Sequence, residues 1–257
     1  MMTVTTLASG SSGNCILLSS GGDHLLIDAG ISARRIAKAL AALDLTPDNL
    51  SAILVTHEHS DHITGIATLT KHHAIPVYTA APTARQLNYR IPFLEDLLHP
   101  VEAGVPFSIG SLEINAFPTL HDAACPVGYA VTDGIHKAAV VTDLGAVTDE
   151  VRNSVHGAQL LVAEANHDVD MLQSGPYPYP LKARILGDHG HLSNNACGAL
   201  CAQAEAWGCS RVVLAHLSKE NNTPQLALDT VTTALGGDMQ VTVAPRDNAG
   251  PVYTVEG

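Results

Sequence analysis

Three histidines and an aspartate are crowded into six positions, His57-x-His59-x-Asp61-His62. Imidazole and carboxylate groups are ligands for divalent cations, and four in so short a segment suit two ions better than one. The apolar run at residues 53–55 predicts a strand that delivers this segment into a turn. Because alternate residues of an extended segment point the same way, we expect His57 and His59 to converge on one cation and Asp61 and His62 to face a second.

A simpler interpretation of the same segment is a solvated polar loop in which Asp61 caps the helix that follows. The rest of the chain weighs against it, because further candidate ligands stand where other apolar runs end. They are Asp28, His121, Asp143 and His216. Each is weak alone, since a polar residue just after a strand is common. Together with the histidine segment they form a specific constellation.

Alternating strands and helices must position these residues. Predicted strands span residues 3–8, 15–19, 25–27, 51–56, 76–78, 112–117, 127–132, 137–142, 160–163, 211–215 and 240–244. Predicted helices follow Ser32 and span residues 63–73, 194–207 and 224–235, and the Pro/Tyr-rich residues 174–181 predict a stiff loop. With no internal repeat and no linker, we expect residues 1–257 to form one domain of two sheets packed face to face between helical layers.

Composition limits the function classes. The 257 residues are 46% hydrophobic, enough for a full core, and contain no run of 18 apolar residues. The first residues show neither a basic nor an apolar leader pattern, so we expect a cytoplasmic protein without a membrane partner. Five cysteines, an odd number, disfavour a disulfide framework. Cys197 and Cys201 stand four apart in a predicted helix, which favours core packing.

The charge balance bears on the substrate. Fourteen histidines accompany thirteen lysines and arginines, and the formal net charge is −12. Histidine at this density suggests metal binding. The negative surface weakens a nucleic-acid interpretation without excluding it, because a metal pair and a few local cations can bind phosphate on an acidic protein.

The order of the candidate ligands along the sequence resembles the pattern of the metallo-β-lactamase fold superfamily, and the resemblance covers essentially the whole chain. The resemblance implies an α/β fold, an αββα four-layer sandwich with two mixed β-sheets packed between helices. It implies two divalent ions, the first on His57, His59 and His121, the second on Asp61, His62 and His216, with Asp143 bridging and Asp28 fixing the histidine segment by hydrogen bonds. A ligand set without thiolate fits zinc best, with manganese or iron as alternatives.

Finer motifs point to one branch of this superfamily. A carboxylate bridge is typical of the glyoxalase and phosphodiesterase branches, and residues 9–14, 164–168, 190–194 and 216–224 resemble the single-domain YycJ (WalJ) subfamily, whose members are similar to 5′-to-3′ DNA exonucleases. That resemblance implies substrate or phosphate contacts from His191, Ser193, Asn194, Ser12, Asn166 and His167. We expect Ser193 to cap a helix whose N-terminus is itself an anion site.

These observations predict a phosphodiesterase that digests DNA, with Asp61, Asp143 and His191 as catalytic residues. Two metals would share a hydroxide and polarise the phosphate oxygens, while His191 would clamp the phosphate or protonate the leaving group. The alternatives are a hydrolase of a small ester, thioester, lactone or cyclic phosphodiester, favoured by the acidic charge and the 4% aromatic content, and a metal-holding protein without turnover.

The Pro/Tyr segment carries a further expectation. It lies between two elements predicted to face the site, so we expect Tyr177 or Tyr179 at the rim of the substrate cleft. Lys182 or Arg184 should then point toward the substrate phosphate. The alternative is an ordinary surface loop.

Overall fold

The computed structural model describes residues 1–256, in which fourteen strands form two seven-stranded sheets. The strands are β1 Thr3–Ala8, β2 Cys15–Ser20, β3 Asp23–Ile27, β4 Ala52–Leu54, β5 Val77–Ala80, β6 Leu98–Val101, β7 Phe107–Ile109, β8 Leu112–Pro118, β9 Val127–Thr132, β10 Lys137–Val141, β11 Leu160–Glu164, β12 Arg211–Ala215, β13 Gln240–Val243 and β14 Tyr253–Thr254. The helices are α1 Ala33–Ala41, α2 Ser60–Ile63, α3 Ile66–His72, α4 Ala81–Arg90, α5 Asp149–Val155, α6 Val169–Ser174, α7 Tyr179–Leu186, α8 Asn194–Ala206 and α9 Pro224–Ala234.

Both sheets are mixed, as predicted. The first has the order β14-β1-β2-β3-β4-β5-β6 and the second β13-β12-β11-β10-β9-β8-β7. Strands β3 to β6 run parallel, and so do β10 to β13, while antiparallel strands complete each sheet. Helices cover the outer face of each sheet, which confirms the predicted αββα sandwich.

Strand β11 illustrates why the layers form. Leu160 and Val162 pack into the core between the two sheets, whereas Leu161 and Ala163 pack into the core beneath the helices of the second sheet. Successive side chains of a strand point to opposite faces, so a strand buried on both faces reads as a continuous apolar run. Burying one such large aliphatic side chain contributes about 1.5 to 3 kcal/mol.

Tyr129 ties the two sheets together beside the histidine segment. It lies on β9 of the second sheet, is fully buried, and donates its hydroxyl to the carbonyl oxygen of Val55, directly after β4 of the first sheet, at 2.9 Å. The Val127 N–H also donates to the Thr56 carbonyl, at 3.1 Å. Both contacts fix the backbone just after β4, directly before the histidine segment.

Three differences between predicted and observed elements have a visible physical cause. Strand β4 stops at Leu54 rather than residue 56, because the Thr56 N–H turns to the carboxylate of Asp28. The predicted helix at residues 63–73 is observed as the shorter α3, and a separate helix, α2, ends at Ile63. Gly65 lies between them, where a Cβ atom would stand 2.4 Å from the Ile31 carbonyl oxygen. The predicted stiff loop at residues 174–181 gives way to α7 at Tyr179, with a proline tolerated in its first turn.

Among residues 1–256, no helix combines the length and apolarity needed to cross a membrane.

Candidate active site

Strands of both sheets deliver the candidate ligands to one edge of the sandwich. Residues that follow or end the strands β3, β4, β8, β10, β11 and β12 are, in that order, Asp28, His57, His121, Asp143, Glu164 and His216. Asp28, Asp143 and His216 have φ values of 60°, 60° and 56°, a left-handed conformation that, among the described non-glycine residues, only Asp44 shares. Such strain costs on the order of 1 to 3 kcal/mol per residue and clusters at functional sites, where it aims side chains.

Three imidazoles form a first group of ligand atoms. One nitrogen each from His57, His59 and His121 lies within 4.8 Å of the others. The Nε2 atom of His57 is 2.9 Å from Nδ1 of His59. Burial, followed by the neighbouring imidazoles, holds the pKa of His57 well below its usual range. The ring is therefore neutral, with a lone pair available to a cation.

A second group combines a carboxylate with two imidazoles. Ligand atoms of Asp61, His62 and His216 lie within 4.8 Å of one another, and Oδ2 of Asp61 is 3.5 Å from Nε2 of each histidine. The helix-capping interpretation of Asp61 is wrong, because His59 occupies the N-cap position of α2.

Asp143 lies between the two groups. Its Oδ2 atom is 3.3 Å from His62 Nε2, and its Oδ1 atom is 3.8 Å from His121 Nε2. The carboxylate is buried, yet within the described part of the chain Oδ2 has no hydrogen-bond donor. A buried carboxylate oxygen without a partner is costly. Its position among imidazole nitrogens fits a shared cation.

Asp28 orients His62. Its Oδ2 atom accepts from His62 Nδ1 at 2.7 Å and from the Thr56 hydroxyl at 2.8 Å, and its Oδ1 atom accepts from the Thr56 N–H at 2.8 Å. With Nδ1 engaged, the Nε2 atom of His62 is the one that faces Asp61 and Asp143. This geometry matches the expectation that Asp28 fixes the histidine segment by hydrogen bonds.

Glu164 orients two histidines, a role that its position in the sequence does not predict. Its Oε1 atom accepts from Nδ1 of His216 at 2.7 Å and from Nδ1 of His191 at 2.8 Å. Its Oε2 atom accepts from the N–H groups of Leu144 and Leu192, both at 3.1 Å. Glu164 also lies in a possible ligand group with Asp143, His191 and His216. Because both oxygens are engaged, we assign it an orienting role.

Asn14 and Gly30 contact members of the second group and hold them in place. Asn14 donates its backbone N–H to the Asp61 carbonyl at 2.8 Å, and its amide Nδ2 lies 3.2 Å from Nε2 of His62. Any side chain at Gly30 would place its Cβ atom 1.6 Å from the Asp61 carbonyl oxygen, so this close approach requires glycine. Only the motif at residues 9–14 hinted at Asn14 in the sequence.

The electrostatics of the second group favour a cation. Burial opposes the charged form of His216, but Asp143, Asp61 and Glu164 outweigh burial and raise its pKa to about 10. Burial likewise opposes ionisation of Asp61, yet its bonds to His216 and His62 hold its pKa well below the usual range. The carboxylates therefore hold protons on neighbouring imidazoles, and a metal ion would displace these protons.

His191 reaches the site, whereas the backbone N–H groups at the start of α8 beside it are largely engaged in hydrogen bonds within the protein. The His191 ring centroid is 5.0 Å from that of His121. Ser193 is the N-cap of α8, as predicted, and accepts from the Ala196 N–H at 3.2 Å, while the Asn194 N–H donates to the His167 carbonyl. With these amides engaged, the expected anion site at this helix start is not an open one. His191 is left as the phosphate-binding candidate of this segment.

Other predicted substrate residues lie beneath the surface or beside the cleft. Asn194 is fully buried in a reciprocal amide pair with Asn222, and His167 is 1% exposed, with neither ring nitrogen hydrogen-bonded in the described chain. Their burial corrects the expectation of direct substrate contact. Asn166 donates to the His216 carbonyl at 3.0 Å and lines the cleft. Ser11 lines it too, whereas the predicted Ser12 is exposed and is not among its lining residues.

The cleft has a volume of about 210 Å³ and opens beside His121 and His191. Tyr177 lines it, which confirms one of the two predicted tyrosines, and Arg184 lines it too, while its contact with a substrate phosphate stays a prediction. Tyr179 is instead 82% exposed. The Lys182 ammonium donates to backbone carbonyls at the end of α6, so it serves the local fold.

Comparison with known proteins gives a consistent picture. The sequence model of the β-lactamase superfamily domain matches residues 23–217. The chain is 37% identical over 234 residues to exodeoxyribonuclease YycJ of Bacillus anthracis, covering 90% of this chain and 88% of that protein. It is 36% identical over 259 residues to exodeoxyribonuclease WalJ of Streptococcus pneumoniae, covering 97% and 96%. The metallo-β-lactamase fold protein YhfI of Bacillus subtilis shares the fold, with a TM-score of 0.76, 20% identity and 98% of each chain covered.

Proposed function

Because the chain belongs to the β-lactamase superfamily, in the family of the exodeoxyribonucleases YycJ and WalJ, we propose that it is a metal-dependent phosphodiesterase that digests DNA from the 5′ end. One observation carries the proposal: two groups of ligand atoms converge on the buried carboxylate of Asp143, with His191 beside them. A cytoplasmic location and a fold of one domain remain predictions.

The residues present fit two divalent cations, zinc before manganese or iron. His57, His59 and His121 would hold the first, Asp61, His62 and His216 the second, and Asp143 would contact both. Three imidazoles have their other nitrogen engaged: His62 by Asp28, His216 by Glu164 and His121 by the Gly190 carbonyl. Fixed tautomers of this kind are typical of metal-binding histidines.

The bound ions would supply an activated water and polarise the phosphate oxygens. His191 supplies the proton. Its Nδ1 atom is held by Glu164, so Nε2 is left for the substrate. Burial opposes the imidazolium, but the charge of Glu164 and the hydrogen bond to it raise the pKa of His191. A positioned imidazolium both binds a phosphate anion and protonates a leaving oxygen.

A small ester or lactone is the second candidate substrate class. The acidic overall charge and the modest size of the cleft favour it. His191 and Arg184 favour a phosphodiester, because both cationic side chains line the same cleft. A carbonyl substrate carries no charge for them to meet.

One panel of substrates tests the proposal. Purified, metal-loaded protein is incubated in parallel with 5′-phosphorylated duplex DNA, single-stranded DNA, bis-p-nitrophenyl phosphate, a lactone and a thioester. We expect release of mononucleotides from the 5′ end of DNA and cleavage of the nitrophenyl diester. Turnover of the lactone or thioester with intact DNA would replace the exonuclease by the small-ester hydrolase.

Replacing Glu164 with glutamine should shift the pH profile of DNA cleavage. The substitution removes the charge that raises the pKa of His191. As pH rises, the imidazolium is lost at a lower pH than in the wild type, so the alkaline limb of kcat should move toward acid. Glu205→Gln is the matched control, because Glu205 accepts from the N–H groups of Gly236 and Gly237, far from the imidazoles. An unmoved limb would mean that Glu164 does not set the proton affinity of His191.

A further inference from the structure

Helix α7 forms one wall of the cleft without belonging to the core. None of its eight residues is buried, although it contains Leu181, Ile185 and Leu186. Leu181, Arg184 and Ile185 recur at helical spacing and line the cleft, and Tyr177 lines it just before the helix begins. An amphipathic helix turns its apolar side toward whatever covers it. Here that side faces the cleft.

Arg184 stands at the edge of the proposed metal site. Its guanidinium Nε atom donates to Oδ2 of Asp122 at 2.7 Å, and its Nη2 atom contacts the same oxygen. The other carboxylate oxygen of Asp122 is 3.3 Å from Nε2 of His121. The Arg184 side chain is 62% exposed. An ion pair this exposed is weak, so a phosphate can compete for the guanidinium.

The cleft thus brings together an aromatic ring, aliphatic side chains and a guanidinium beside His191. Aromatic rings stack on nucleobases of any sequence. Guanidinium groups bind phosphate through paired hydrogen bonds. A ligand with a flat apolar part and an anionic part a few ångströms away satisfies both.

We propose that this cleft is the subsite for one nucleotide of the substrate, with the base on Tyr177 and a phosphate on Arg184, which leaves Asp122 when the nucleotide binds. The proposal rests on the proposed nuclease function. Asp122 is then a competing counter-ion that neutralises Arg184 in the free protein. It weakens nucleotide binding by the free energy needed to separate the Arg184–Asp122 ion pair.

Calorimetric titration of metal-loaded protein tests the subsite without relying on turnover. The probes are thymidine 5′-monophosphate, thymidine and 2-deoxyribose 5-phosphate. Arg184→Ala should weaken binding of the two phosphorylated probes by about 10-fold, the scale of a charge-assisted hydrogen-bonded contact, and leave thymidine unchanged. Tyr177→Ala should weaken thymidine 5′-monophosphate and thymidine by about 5-fold or more, the lower range for base stacking, and spare the sugar phosphate. Tyr177→Phe should bind as the wild type does.

Matched controls come from the same chain. Arg152 also forms an exposed ion pair, with Asp149 at 3.0 Å, and lies outside the cleft, so Arg152→Ala should change no affinity. Tyr179→Ala removes an exposed aromatic ring two residues from Tyr177 and should likewise be neutral. Metal content is measured for every variant, since Asp122 adjoins His121.

Asp122→Asn tests the competition. It should tighten binding of the phosphorylated probes by several-fold in the wild type, but by clearly less in the Arg184→Ala background. Equal tightening in both backgrounds would reduce Asp122 to a general repulsive charge and overturn its role as counter-ion.

The nucleotide subsite and the exonuclease function can be overturned separately. Wild-type affinities for all three probes in both Arg184→Ala and Tyr177→Ala would overturn the subsite, even if the protein digests DNA. Selective losses in a protein that digests no DNA would retain the nucleotide subsite and overturn the exonuclease.

Discussion

Asp143→Ala is expected to abolish most phosphodiesterase activity, by about 10³-fold or more, and to reduce bound metal from about two equivalents to less than one. Asp143 is the one candidate ligand whose two oxygens face both groups, His62 on one side and His121 on the other. Its removal would delete the proposed shared ligand and one of the negative charges that would offset the two cations. Elemental analysis of protein prepared without chelator measures the metal, and hydrolysis of bis-p-nitrophenyl phosphate measures the activity.

Three variants make the result specific. His121→Ala removes a ligand of one group alone and should retain more metal than Asp143→Ala. Asp143→Asn keeps the shape and one neutral oxygen and should fall between them. Asp44→Ala is the backbone control, because Asp44 is exposed and shares the left-handed conformation, with φ 58°. Wild-type protein that folds but binds no metal would contradict the proposed site, and so would equal metal loss in the Asp143 and His121 variants.

The convergence of the candidate ligands could be predicted because their positions obey a local rule. Each of Asp28, His121, Asp143 and His216 follows an apolar run, and the sandwich brings those strand ends to one edge. Glu164 obeys the same rule, but its role depends on two histidines and two backbone amides from other parts of the chain. No spacing along the chain encodes that convergence, so its motif was visible and its function was not.

Prediction failed where polar residues serve the fold. Asn194 stands in a motif that suggests phosphate binding, but the structure buries it against Asn222. A buried amide pair and a substrate-binding amide have the same residue type, and only burial separates them. Helix α7 was missed for a different reason. Its apolar spacing, Leu181 and Ile185, is too short to predict a helix from the sequence, and the prolines before it favour a loop.

His191→Ala should separate phosphodiester from carbonyl chemistry. We expect phosphodiester cleavage to fall by about 10²-fold or more, the scale for losing a positioned acid or anion stabiliser, while metal content stays at the wild-type level. His191 lies 3.8 Å from Asp143 and is held by Glu164, so its ring contacts the metal site without belonging to either of the two proposed metal-ligand groups. Any hydrolysis of a lactone or ester should suffer far less.

The expected difference between phosphodiester and carbonyl substrates arises from their chemistry. A carbonyl can be activated by the metal ions alone, whereas a phosphodiester brings a negative charge and a poor leaving group that need further partners. His72→Ala is the matched control, because His72 is an exposed histidine on α3 that does not line the cleft. Equal losses on both substrate types would assign His191 to the fold or the metal site. Unchanged phosphodiesterase activity would remove the proton donor from the proposed mechanism and make the small-ester hydrolase the better account of the site.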